Sequence, residues 1–397
     1  MKAAGAAVVF MGIRAGVRRL REFSRAMAEV STIMDTSKLS LRDAEEGIRA
    51  LSREYAQASP DVAKGLYQTL SAGITDANEA MILLGGATEL GVAGLATTRQ
   101  SVDLLTSVFN AYGKTVTEEG VEKTNDMIFK TIELGKTTMP ELASSFGRIL
   151  PMAATLGIEF HEIAAAVSAL TLSGLDTAEA VTQVGAVFTA FLRKAELSKK
   201  MLGDYSTVMG AGAMRTKGFR QSIEDLVEAT GHNDDVLVKL MGRVEGVKAV
   251  MALTGNQAET FADQIEKIST ASGNSGKAAT LMMDTVDAKM RAFGEGWTTM
   301  WENFAKGLTG VESDMSASDI TEQISHMNSV AEETGEKVGA YLLAIPASAM
   351  KIKYHFKDIF QSAGGRVLDT IESIEELQKI LDDLASGDAD EWLQGLF

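Results

Sequence analysis

Three features of the chain predict an all-α fold. Among its 397 residues, hydrophobic side chains make up 45% and charged ones 23%, but aromatics only 6%. Ala, Leu, Met, Glu and Lys are common, and these side chains lose little rotamer freedom in a helix. Proline occurs only at Pro60, Pro140, Pro151 and Pro346, which leaves residues 152–345 free of that helix breaker. The 37 glycines must then supply most of the turns. Apolar residues recur at spacings of three and four, and no segment shows the alternation of a strand, so no sheet is expected. A chain of this length and composition can bury a core, as two or three ordinary domains or as one elongated multi-helix array.

Taken in order, residues 10–34 read as a first helix, with Phe23, Met27 and Val30 on one face. Ser40 with Asp43, Glu45 and Glu46 suits the first turn of a second helix reaching about Ala58. Ser59-Pro60-Asp61 breaks the chain and starts a third, since proline at the first helical position gives up an N–H that would go unpaired there. Val62, Leu66 and Leu70 follow at i, i+4 spacing.

The segment from Asp126 to Phe191 then echoes what precedes it. Pro60, Val62, Leu66 and Leu70 are matched eighty residues later by Pro140, Leu142, Phe146 and Leu150, and Gly94-Leu95-Ala96-Thr97 by Gly174-Leu175-Asp176-Thr177. Val102, Leu105, Phe109 and Tyr112 map onto Val181, Val184, Phe188 and Phe191, each displaced by 79. Spacings of three, four and three put each quartet on one helical stripe. An internal duplication, about 60–112 and 140–191, is therefore expected, set against chance likeness between two helix-rich segments.

Residues 193–218, with Gly203, Gly210, Gly212 and Gly218, read as a loop or frayed region. Helical patterning resumes at Ile223, Leu226 and Val227 and stops at Thr254-Gly255-Asn256. A helix over about 257–271 carries Phe261, Ile265 and Ile268, and Ser272-Gly273-Asn274-Ser275-Gly276 is the clearest turn. Residues 277–308 read as a helix rich in Trp and Met, with Trp297 and Trp301 sharing a face. A boundary is placed near residue 311, before a polar, acidic region whose last helix covers about 366–386. The expected sections are thus N-terminal helices (1–58), a duplicated helical core (59–200), a second helical section (201–310) and a C-terminal helical region (311–397).

Composition excludes several functions. With no cysteine there is no disulfide, thiolate nucleophile, Cys-ligated zinc or iron–sulfur cluster. A net charge of −16 argues against sequence-specific nucleic-acid binding, which wants a basic face. Charge is uneven. Residues 1–25 hold six basic side chains against Glu22, and residues 369–391 hold nine acidic ones against Lys379. Met1–Ile13 has a basic start and an apolar run, but the run is short, interrupted by glycine and without a convincing cleavage site. No apolar stretch reaches the ~18–20 residues of a membrane span, so the chain is expected to be soluble.

Motifs that would carry chemistry fail one by one. His161-Glu162 begins like a zinc-protease HExxH, but Ala165 stands where the second histidine belongs. Gly210-Ala211-Gly212 begins a GxGxxG and lacks both the third glycine and a preceding strand. Gly12/Gly16 and Gly242/Gly246 match GxxxG, but with arginine inside and no apolar 20-mer around them. His232, His326 and His355 are scattered in sequence. No catalytic, cofactor-binding or metal-ligating residue is named, and no cofactor is expected.

A family likeness runs through many short motifs. Asn125-Asp126-Met127-Ile128-Phe129, Glu133-Leu134-Gly135-Lys136-Thr137-Thr138, Pro140-Glu141-Leu142-Ala143, Pro151-Met152-Ala153-Ala154 and Leu156-Gly157-Ile158 closely resemble the core region of phage tail tape-measure proteins. Gly65-Leu66-Tyr67, Ser71-Ala72-Gly73 and Val108-Phe109-Asn110-Ala111-Tyr112-Gly113 fit the same pattern upstream, as do Gly276-Lys277-Ala278 and the segment from Trp297 to Leu308 downstream. The likeness covers roughly residues 20–308.

The resemblance implies a largely helical, non-enzymatic protein of phage or prophage tails. Such a protein sets tail length in the tail lumen of the virion, after assembly in the host cytoplasm, and can aid DNA ejection. Implied partners are the tail-tube protein, tail assembly chaperones and tail-tip or baseplate proteins, with self-association and a transient membrane contact on ejection. At 397 residues the chain is short for the family, which reads as a fragment, a split reading frame or a degenerate prophage gene. A helical signalling or scaffold protein and a tail-associated peptidoglycan hydrolase are the alternatives. The first would want long heptads or an anchor, the second a His/Cys or paired-carboxylate cleft.

Overall fold

The computed structural model of the chain describes residues 18–37, 39–193, 208–285 and 288, and every described element is a helix. Residues 29–289 form one compact unit, and the described residues 18–28 fall outside it. The expected Trp297/Trp301 helix, the boundary near 311, the helix over 366–386 and most of the 193–218 loop lie outside the described residues. The first helix, α1, covers residues 18–31 and buries Phe23, Met27 and Val30 as its spacing predicts.

Local chemistry sets most helix ends. α2 (Leu41–Glu54) starts at Ser40, whose side chain accepts from the Asp43 N–H. α3 (Ser59–Ser71) begins one residue earlier than expected: Ala58 is the N-cap, and the Ser59 hydroxyl, freed from capping, lies 3.0 Å from Ser52 Oγ in the interior. α4 (Ala77–Ala93) is capped by Asp76, and α5 (Thr98–Tyr112) by a reciprocal box between Thr97 and Gln100. α6 (Glu118–Leu134) starts at Thr117 and ends at Gly135. α7 (Met139–Ser145) carries a second capping box, Thr138 with Glu141, and passes through a 3₁₀ turn (Phe146–Arg148) into α8 (Leu150–Leu156). α9 (Phe160–Leu172) and α10 (Thr177–Leu192, capped by Asp176) complete the first half. α11 (Ala211–Ala229), α12 (Asp234–Met241), α13 (Val244–Thr254), α14 (Ala258–Ser269) and α15 (Asn274–Met283) follow.

Two helices centre the packing of the compact unit. α4 lies against α3, α5, α6 and α15, and buries Leu83, Leu84, Ala87 and Leu90. α9 lies against α14, α10 and α6 and is apolar on nearly every side, from Phe160 through Thr171, as a helix surrounded by others must be. A chain of edge-to-face aromatics, Phe188–Phe219 at 5.2 Å and Phe219–Phe261 at 5.8 Å, joins α10, α11 and α14.

The two segments that resemble each other in sequence can be compared directly. Both stripes are core: Val62, Leu66, Leu70, Val102, Leu105 and Phe109 are buried, as are Leu142, Phe146, Leu150, Val181, Val184, Phe188 and Phe191. The expected duplication is not confirmed by the helices: α5 and α10 are similar at 15 and 16 residues, but α4 has 17 where α9 has 13, and α3 is one helix where the later segment is split into α7, a 3₁₀ turn and α8. Pro151 accounts for the split, since it leaves the helix before it without a continuing N–H. The glycine-rich 193–218 stretch also departs from expectation. Residues 211–217 are already helical, and the real break is Gly218, at φ 78° inside α11. The turn at 272–276 is likewise shorter than expected, because α15 begins at Asn274.

Candidate functional site

The residues of the family-like motifs turn out to be joints. The Thr137 and Thr177 hydroxyls meet at 2.7 Å, and Thr177 also donates to Glu141 Oε2 at 3.2 Å. That same carboxylate oxygen accepts from the Thr138 N–H at 2.9 Å, so one small polar knot ties the starts of α7 and α10 together. Lys136 N–H donates to Thr171 Oγ1 at 3.0 Å, closing the end of α6 onto α9. Gly135 is required by closeness: a Cβ there would stand 2.7 Å from Ser168 Oγ and 3.1 Å from Ser168 Cα.

The HExxH-like pair is also structural. Glu162 Oε1 accepts from the Phe219 N–H at 2.8 Å, and a Cβ at Gly218 would fall 2.8 Å from the same oxygen. The carboxylate thus receives a backbone donor freed by the Gly218 break. His161, beside it, is half-buried, and burial pushes its pKa down. His232 sits at φ 57° just after α11, and His326 and His355 lie outside the described residues. No group of His, Cys, Asp or Glu among the described residues is arranged to hold a metal ion, and no described helix is long and apolar enough to cross a membrane. Gly210 precedes α11 and Gly242, at φ 67°, ends α12; neither belongs to a phosphate-binding turn after a strand.

One polar centre has no counterpart in the sequence reading. Asp126, in the middle of α6, is 2% exposed, yet its carboxylate is fully engaged. Oδ2 accepts from the Gly273 N–H at 2.7 Å, and Oδ1 from the Ser275 N–H at 2.8 Å and lies 3.0 Å from the Ser275 hydroxyl. These donors open α15. Its own N-cap, Gly273, has no side chain to offer, so a carboxylate 147 residues away does the capping. Glu89 of α4 is drawn in, with Oε1 3.1 Å from the Ser275 hydroxyl. Burial raises its pKa, the Ser275 hydrogen bond opposes this, and the charges of Asp126, Glu122 and Glu54 add to the rise. Tyr55 borders the same acids and is pushed upward by burial and by Glu54 and Glu89. The sequence holds no signal that sets this acid apart; only the fold shows that Asn125, Asp126, Met127 and Ile128 are all buried.

Elsewhere the surface offers an open groove between α5 and α8, lined by Ser107, Asn110, Ala111, Pro151 and Thr155. Its walls carry hydroxyl, amide and methyl groups but no ionisable side chain. The polar side chains of these joints cap helices, close turns and pack one element on the next.

A family model for phage-related minor tail proteins matches residues 45–242. The chain is also 25% identical, over 320 residues, to a probable tape measure protein of Clostridium phage phiCD119. That alignment covers 75% of this chain and 33% of the relative, so the chain spans about a third of the length of the curated relative it matches. No solved structure matches the chain.

Proposed function

We propose that this chain, a member of the phage tail tape-measure family, acts as a non-enzymatic scaffold on which the tail tube is assembled and its length set. The observation that carries the reading is where the family-like motifs are spent. Thr137, Thr138, Glu141, Gly135 and Thr177 are consumed in capping and close packing between helices, with their polar atoms turned on one another. Residues used in this way build a stable helical body rather than a reacting site. Partners under this reading are other tail components: the tail-tube protein, assembly chaperones and tip or baseplate proteins. A role in DNA ejection, with a passing membrane contact, extends the same reading.

The test is genetic and structural together. In a phage or prophage carrying this chain, in-frame deletions within its gene should shorten the tails seen by electron microscopy, and the tail-tube protein should co-purify with it. Tails of unchanged length would remove the measuring role. Zymography of the purified chain on peptidoglycan should stay blank, and a cleared band would favour a lytic enzyme instead.

A further inference from the structure

α15 is joined to the rest of its unit in an unusual way. It lies only on α4 and α6 among its major neighbours, and apart from Ser275 it buries just Ala279 completely. The apolar contact it makes is a small cluster of its own, Val92, Ala93 and Ala279, bordered by Tyr55, Phe129, Ala278, Met282 and Met283. Its first turn is held by Asp126, through two backbone donors and a hydroxyl. An apolar contact this small and one capping carboxylate hold far less than the core around α9.

The hydroxyl is contested. Ser275 has one proton to give, and its oxygen lies 3.0 Å from Asp126 Oδ1 and 3.1 Å from Glu89 Oε1. With both acids ionised, the serine proton serves one carboxylate at a time, the Tyr55 hydroxyl also bonds Glu89, and two like charges face each other across a partly dry joint. If Glu89 takes up a proton, it becomes a donor to Ser275 Oγ, and the serine proton is free for Asp126. The protonated arrangement removes the like-charge contact between Glu89 and Asp126; the ionised one keeps it. Glu54 and Tyr55 from the end of α2 and Glu122 from α6 face the same joint, while Lys277 on α15 is exposed.

We propose that α15 is a latch over the α4–α6 surface, closed by Asp126 and loosened by the charge on Glu89, which opens as one element while the rest of its unit stays folded. Opening uncovers the strip formed by Val92, Ala93 and Phe129. The direction with pH follows from the folded state holding the Glu89 proton more tightly than the unfolded chain does. Docking is tightest at acid pH and weakens as pH rises above the ordinary carboxylate range through the raised Glu89 pKa.

The chain has no cysteine, so a single introduced thiol reports cleanly. Ala279→Cys places one inside the latch contact and Val167→Cys places one in α9, both at buried positions of the full-length protein. Labelling rates, each divided by that of a free thiol at the same pH, measure how often each position opens. The Ala279→Cys protein should label at least ~10-fold faster than the Val167→Cys protein, the ratio set by a 1.4 kcal/mol difference in opening free energy. Labelling in the latch should slow as pH is lowered from 7.5 through the raised Glu89 pKa into the ordinary carboxylate range. Adding Glu89→Gln, which keeps an acceptor for Ser275 and removes the charge, should slow the latch thiol at pH 7.5 and flatten its pH dependence, leaving the α9 thiol unmoved. Asp126→Asn should speed the latch thiol by about tenfold, since a hydrogen bond to a charged group is lost. Equal labelling of the two positions in every variant would overturn the latch, because α15 would then leave only when the whole unit unfolds. A pH dependence that survives Glu89→Gln would overturn the role given to that charge.

Discussion

Replacing Gly86 by alanine measures how closely α4 and α6 approach. A Cβ at Gly86 would lie 2.2 Å from Cγ1 of Val121 and 3.6 Å from its Cβ, with Asn125 Nδ2 at 3.3 Å. Asn125 also donates to the Gly86 carbonyl at 2.8 Å, so α6 is fastened at this level and has little freedom to retreat. In open space an interior Gly→Ala change would stabilise the helix by about 1 kcal/mol. Here buried Val121 must give way, and forced repacking of that kind costs about 1–3 kcal/mol. The net effect of Gly86→Ala alone is therefore between roughly zero and about 2 kcal/mol of destabilisation. Val121→Ala deletes the clashing methyl and leaves its Cβ at an ordinary contact distance. In that background the same Gly86→Ala change should stabilise by up to about 1 kcal/mol, giving a coupling of about 1–3 kcal/mol between the two positions. Urea midpoints of the four proteins, read on helix signal, supply the cycle. Equal stabilisation by Gly86→Ala in both backgrounds would refute the close approach.

Three further outcomes follow from other parts of the fold. Phe219→Ala removes the middle ring of the Phe188–Phe219–Phe261 chain and should cost about 3–5 kcal/mol in denaturant unfolding, with Phe219→Leu recovering part of it. Thr138→Ala removes the cap of α7 and should cost about 1 kcal/mol, without changing total helix content by circular dichroism. Because burial lowers the His161 pKa, the unfolded chain takes up a proton at a higher pH than the folded one does. Stability should therefore be full above the ordinary histidine range and fall as pH drops through it towards the lowered value. His161→Gln should flatten that slope in urea titrations across pH 5–7.5.

Signals in the sequence are legible where the chemistry is local. Ser40 caps α2 because the N–H it binds is three residues away, and the Phe23, Met27 and Val30 face is buried because helical spacing alone aligns it. Ser59 falls one residue inside its helix instead of capping it, because its partner, Ser52, comes from the preceding helix. Gly218 reads as one glycine among several in a loop; its distinction is the Glu162 carboxylate, 57 residues away, that receives the broken backbone at Phe219. Asp126 is illegible for the same reason, more severely. Neither Gly273 nor Ser275 announces that it needs an acceptor, and an acid on an apolar face is as consistent with a surface turn as with a buried cap. The all-α class and a start such as that of α2 can thus be read from neighbouring residues. The polar joints between distant residues cannot, because each depends on a partner that only the folded chain brings near.

The tie between Asp126 and Gly273 has a consequence in time. A ribosome adds roughly 5–20 residues per second, so the 147 residues separating the two take about 7–30 s to make. Throughout that interval α4 and α6 exist without the helix that will cover them. Val92, Ala93 and Phe129 are then an apolar strip on a nascent chain, open to whatever binds such surfaces, and the arrival of α15 sets the moment at which it is withdrawn. The order of synthesis thus gives the growing chain a sticky period with a defined end.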